Sequence, residues 1–100
     1  MRTKAIFPLV LLLGTLFVAG CDGRRATRED CLEILHRLVD LELEERGFRD
    51  PALTARRRAE AARAHAVELA ACDGKRMPRS AMACVRAATS SEELSHRCFD

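Results

Sequence analysis

From residue 27 onward the apolar positions recur every three or four residues, and no segment alternates with period two. The first stripe is Cys31, Ile34, Leu35, Leu38 and Leu41, with Leu32, Val39 and Leu43 beside it. That spacing lays them along one face of a helix. Thr27 and Asp30 at its head form a variant of the capping box, and Gly47 behind it supplies the left-handed stop. Glu33–Arg37 and Glu42–Arg46 stand four apart as favourable pairs on the outer face. Asp50-Pro51 restarts the chain as N-cap and first helical residue. An alanine-rich run with Leu53, Val67, Leu69 and Cys72 then reaches Asp73, where Gly74 closes it. After Pro78 a short third helix carries Ala81, Cys84, Val85 and Ala88. Ser90 and Glu93 cap a fourth with Leu94, Cys98 and Phe99, and Glu93–Arg97 pairs across one turn of it. Phe48, in the first connection, is expected to plug one end of the bundle. The predicted class is all-α: a small bundle of two longer and two short helices over residues 27–100.

Residues 1–20 follow a different rule. Arg2 and Lys4 precede an apolar stretch from Ala5 to Ala19. As a helix those fifteen residues span about 22 Å, short of a hydrocarbon core of about 30 Å. A charged start, a short apolar run and small residues before a break describe an export signal. The last four residues, Val18-Ala19-Gly20-Cys21, resemble the lipobox of bacterial lipoproteins. The resemblance implies diacylglycerol transfer to the Cys21 thiol, cleavage just before it, and acylation of the new amino terminus. It divides the chain into a lipoprotein signal peptide (1–20), a lipidated tether (21–26, CDGRRA) and the helical domain (27–100). Its partner is then a membrane, reached through the lipid on Cys21. Plain signal cleavage would also suit Val18 and Gly20. Asp22 resembles the inner-membrane retention signal of enteric bacteria, and the choice between inner and outer membrane stays open.

Composition narrows the function. The formal charge of +2 includes Arg2 and Lys4, whereas all 15 acidic residues lie beyond the leader, so the remainder is close to neutral. There is no tryptophan or tyrosine, and two of the four phenylalanines, Phe7 and Phe17, fall in the leader. A balanced chain without stacking groups lacks the footprint of a nucleic-acid binder. Arg24, Arg25 and Arg28 either touch anionic headgroups or solvate a linker. Arg56-Arg57-Arg58 reads in the same two ways, as an anion site or as a solvated helix face.

About 80 residues bury little surface, so a staple is expected, and export to an oxidising compartment favours disulfides. Five cysteines is an odd number for an exported chain; assigning Cys21 to the lipid leaves Cys31, Cys72, Cys84 and Cys98. In a hairpin of the last two helices, Cys84 and Cys98 lie at nearly equal depth, about 6 and 9 Å from the turn. Cys31 and Cys72 are less well matched, at about 22 and 33 Å from the turn at Gly47–Asp50. Joining them requires an offset, a tilt, or a second helix that starts nearer Thr54. The pairing Cys31–Cys72 with Cys84–Cys98 is favoured, and Cys72–Cys84 with Cys31–Cys98 remains open.

His36, His65 and His96 accompany these thiols, so a thiolate–imidazole zinc site is chemically conceivable. The spacing opposes it: there is no CxxC, no helical HxxxH and no CxxCH, and His96 and Cys98 point to different helix faces. No metal and no cofactor is called for. Redox catalysis would need a low-pKa thiolate in a CxxC, and no serine or cysteine sits in a recognisable nucleophile elbow. The expected function is a non-enzymatic structural or interaction lipoprotein of the bacterial cell envelope, displaying a helical surface to another envelope protein. The alternative is a small Cys/His metal-binding envelope lipoprotein. A bilayer-perturbing role fits least, given the neutral charge and internal cysteines.

Overall fold

Thr27 turns the chain into its first helix. The computed structural model describes residues 23–99; residues 1–22, with the expected export signal and Cys21, lie outside them. Helix α1 runs Arg28–Glu45. The Thr27 hydroxyl accepts from the Asp30 amide at 3.1 Å, and the Asp30 carboxylate accepts from the Thr27 amide at 2.9 Å. Two orphan donors of the first turn are thereby satisfied. At the other end Gly47 adopts φ +85°. Its amide donates to the Glu44 carbonyl at 2.9 Å, and the Phe48 amide donates to the Leu43 carbonyl at 2.9 Å. This is a Schellman closure. Phe48 lies beside Leu43 and is 49% exposed, so it does not plug one end of the bundle as the sequence led one to expect.

Helix α2, Pro51–Ala64, starts from Asp50, whose carboxylate accepts from the Ala52 amide at 3.0 Å. The run to Asp73 is two helices, not one. At His65 the backbone moves to φ −108°, ψ 28°, and α3 occupies Ala66–Cys72. No glycine or proline marks the break. It follows from geometry: α2 alone is about 21 Å long and matches the span of α1 from Cys31 to its end. Turning at His65 lets α3 bury Leu69 and brings Cys72 to Cys31. The late start near Thr54 is not used, since α2 begins at Pro51.

The last two helices are α4, Ala81–Ala87, and α5, Ser91–Arg97, the latter capped by Ser90, which accepts from the Glu93 amide at 3.0 Å. A two-residue antiparallel ribbon was not expected. Strand β1, Arg24–Arg25, pairs with β2, Arg76–Met77, with Arg24 opposite Met77 and Arg25 opposite Arg76. The Ala26 amide donates to the Lys75 carbonyl at 2.7 Å and the Gly74 amide to the Ala26 carbonyl at 2.8 Å. Residues 24–26 are thus part of the domain and Ala26 is buried, which corrects the assignment of 21–26 to a tether. So short a ribbon has no room to show alternation. The left-handed Gly74, φ +87°, turns the chain after α3 and lays Arg76–Met77 alongside β1.

Helix α1 is the centre, in contact with each of the other four. Its amino-terminal half packs Cys31 against Ala26, Leu69, Met77, Ala81 and Met82. Its carboxyl-terminal half packs Leu41 against Val85, Ala88, Leu94 and Cys98, and Ile34 borders both groups. Helix α2 buries no residue. Both disulfides form, Cys31–Cys72 with 6.2 Å and Cys84–Cys98 with 5.4 Å between Cα atoms. The all-α bundle stapled by two bridges is what the structure shows. Among the described residues no helix is long and apolar enough to cross a membrane.

Candidate functional site

Cys21 lies outside the described residues, but the structure fixes where the chain leaves the domain toward it. Gly23 approaches the Met77 carbonyl so closely that a Cβ there would sit 3.1 Å from its oxygen. Next to it Arg24 forms a two-pronged ion pair with Asp30, at 2.8 and 3.0 Å. Asp30 is buried. The Arg24 guanidinium, followed by the Thr27 amide, holds the Asp30 carboxyl well below the usual carboxylate range. One charge therefore serves the helix cap and the ribbon together. In acid the unfolded chain takes up a proton at this residue near pH 4 that the folded chain refuses. The stability that Asp30 contributes is present above that pH and is lost as the pH falls below it. Glu33, lowered by Arg86, acts in the same direction. Urea midpoints measured from pH 6 down to pH 3 should decline, and Asp30→Asn should flatten that decline.

Of the charged pairs expected along α1, Glu33–Arg37 is redirected and Glu42–Arg46 does not form an ion pair. Glu33 takes Arg86 of α4 in two contacts, at 2.6 and 2.9 Å, while Arg37 donates to the Ala88 carbonyl at 2.7 Å. Inter-helix partners win because they fix α4 on α1, whereas an i,i+4 pair contributes only about 0.2–0.5 kcal/mol. The Arg56–Arg58 run is likewise divided. Arg58 grips Asp40 of α1 through Nε at 2.8 Å and through a second guanidinium contact, and Arg57 meets Glu60 at 3.4 Å. Of the three, Arg56 alone is left as a plain solvated cation, so they do not form one basic face.

Between α1 and α2 lies a groove of about 470 Å³ with apolar lining from Val39, Leu43, Phe48 and Leu53 and charged lining from Glu42, Arg46 and Arg57. A second hollow of about 450 Å³ shares Leu43 and Phe48 with it and adds Asp40, Thr54 and Arg58. Phe48 lines both and is half exposed. The lining supplies apolar contact framed by both signs of charge, the chemistry of a protein-binding surface. It holds no cysteine and no histidine. The signal that could have found it was small: Phe48 is one of only two phenylalanines beyond the leader, and it follows a helix-stopping glycine.

The candidate metal ligands are not assembled. All four domain cysteines are in disulfides, so no thiolate remains among them. His36 lies in a shallow hollow with Glu33, Arg37 and Asp40. His65 marks the α2–α3 break, 3.9 Å from Glu68, and His96 is exposed on α5. Among the described residues no three His, Cys, Asp or Glu side chains gather as a cluster able to hold a metal ion. Compared with known proteins, the chain matches no family model, no curated sequence and no solved structure.

Proposed function

We propose that this chain is a non-enzymatic lipoprotein of the bacterial cell envelope, anchored by acylated Cys21, that presents the Phe48 groove to another envelope protein. The observation that carries the interaction role is the half-exposed Phe48, held by backbone hydrogen bonds and lining two hollows. A large, half-exposed aromatic with low conformational freedom is the kind of residue that anchors an interface. The anchor rests on the lipobox resemblance. It is supported by the cysteine count: Cys31, Cys72, Cys84 and Cys98 pair among themselves, and Cys21 is the odd thiol.

Two measurements test this reading. The intact mass of membrane-extracted protein should correspond to residues 21–100 plus acyl chains, with four further thiols appearing only on reduction. A mass without lipid rejects the anchor. Photo-crosslinking from position 49 in intact cells should give one defined adduct, and Phe48→Ser should reduce its yield at least ten-fold, the loss expected of an interface anchor worth about 2 kcal/mol or more. An adduct pattern that Phe48→Ser leaves unchanged rejects the groove.

A further inference from the structure

The ribbon joins two segments that are 50 residues apart in sequence, and both are basic. Within residues 23–30 and 73–77 lie Arg24, Arg25, Arg28, Lys75 and Arg76, against Glu29, Asp30 and Asp73. Asp30 is already committed to Arg24. Over residues 31–72 and 78–100, by contrast, acidic residues outnumber basic ones by eleven to ten. The excess cationic charge of a nearly neutral molecule is gathered at the end from which the chain leaves toward Cys21.

Its arrangement is unfavourable on its own. Arg25 and Arg76 are cross-strand partners, so their side chains leave the same face of the ribbon, and both are exposed. Like charges directly opposite one another destabilise a strand pair. Arg25 also donates to the Gly74 carbonyl at 3.1 Å, which keeps its guanidinium along the ribbon. Arg28, exposed in the first turn of α1, places a third cation at the positive end of the helix dipole. Lys75 adds a fourth, exposed beside Arg76. On the opposite face Met77 is buried in the core, so the ribbon's orientation is fixed. A surface carrying several negative charges relieves all these repulsions together; a single small anion reaches only part of them.

We propose that Arg25, Arg28, Lys75 and Arg76 form a headgroup-binding face that seats the domain on an anionic lipid surface. The proposal rests on the reading of Cys21 as the lipidated residue, because that supplies the proximity. Two peptide steps separate Cys21 from Gly23, at most about 7 Å, which keeps the ribbon within about one Debye length of the headgroups. Each basic residue near such a surface strengthens attachment about five-fold at moderate salt. The acyl chains hold the protein in the membrane, and the cationic face determines which way up it stands.

The test uses the lipidated protein, extracted in detergent and reconstituted into vesicles of phosphatidylcholine, alone or mixed with phosphatidylglycerol. Limited trypsin digestion, followed by mass spectrometry after reduction, reads cleavage after Arg25, Arg28, Lys75 and Arg76, with cleavage after Arg46 and Arg56 as internal reference. Anionic vesicles should slow the first set about ten-fold relative to neutral ones, leave the reference set unchanged, and lose this protection in high salt. Lys75→Gln combined with Arg28→Gln, which leaves the ribbon intact, should reduce the protection at Arg25 and Arg76. Flotation with neutral vesicles reads the anchor by itself. Protein that floats there but is cut equally on both vesicles overturns the headgroup face and leaves the anchor standing. Protein that fails to float overturns the anchor, and co-sedimentation of that unlipidated protein with anionic vesicles then decides the face, its absence counting against it. Protection that requires added envelope protein instead of anionic lipid also overturns the proposal.

Discussion

Replacing Cys31 and Cys72 together by serine is expected to lower the midpoint of thermal unfolding by about 15–30 °C. The bridge closes a loop of 41 residues, and chain-entropy arithmetic assigns such a loop about 4 kcal/mol. A domain of this size is stable by only about 4–12 kcal/mol, and each kcal/mol moves its midpoint by about 4–8 °C. Placement adds to the loss. Cys31 is buried where α1, α3 and the ribbon meet, and the break at His65 lets the bridge form. Without it, only Leu69 and the loop around Gly74 hold α3 against α1. Circular dichroism melts of the double variant and of the parent decide the point. The matching Cys84/Cys98 variant closes a loop of 14 residues and should lose about 3 kcal/mol. Equal melts for parent and Cys31/Cys72 variant would show that packing alone sets the stability.

Leu41→Ala is expected to destabilise the domain by about 2–5 kcal/mol. Leu41 is 1% exposed and faces Val85, Ala88, Leu94 and Cys98, so it is the central apolar contact of the carboxyl-terminal half of α1 with the α4–α5 hairpin. The Cys84–Cys98 bridge ties α4 to α5 but neither of them to α1. No covalent link therefore compensates for the cavity. Urea denaturation provides the measurement, and Val67→Ala the comparison. Val67 is 80% exposed and its truncation should stay within about 0.5 kcal/mol of the parent. A midpoint for Leu41→Ala as close to the parent as that would exclude the interface as a principal source of stability.

What could be read from the sequence was local. Thr27 with Asp30, Asp50-Pro51, Ser90 with Glu93, Gly47 and Gly74 are short-range hydrogen-bonding and backbone devices, and each marks the helix end expected of it. The cysteine pairing followed from helix lengths in one hairpin and leaned the right way in the other. What could not be read was tertiary. The turn at His65 has no local residue to announce it, because the burial of Leu69 and the Cys31–Cys72 bond impose it from outside. The Arg25–Arg76 pairing joins two segments with no alternation of their own. Glu33 leaves Arg37 for Arg86 because the cross-helix partner is better placed. At the candidate groove, an exposed phenylalanine was visible, but its position beside Leu43 depends on which carbonyl the Phe48 amide reaches, a matter of one hydrogen bond.

The two disulfides also govern how the protein behaves under load. Pulled between residues 23 and 99, the chain cannot lengthen through residues 32–71 or 85–97, because Cys31–Cys72 and Cys84–Cys98 short-circuit them. The path that can extend is residues 23–31, 72–84 and 98–99. Fully drawn out, with the two bridges crossed on the way, it measures about 85 Å, against about 265 Å for the same chain with its bridges reduced. Helices α1, α2 and α5 lie largely inside the closed loops and bear almost none of that tension. Under the proposed anchoring and partner binding, a chain of this design yields to a pull by a short, fixed distance and then holds.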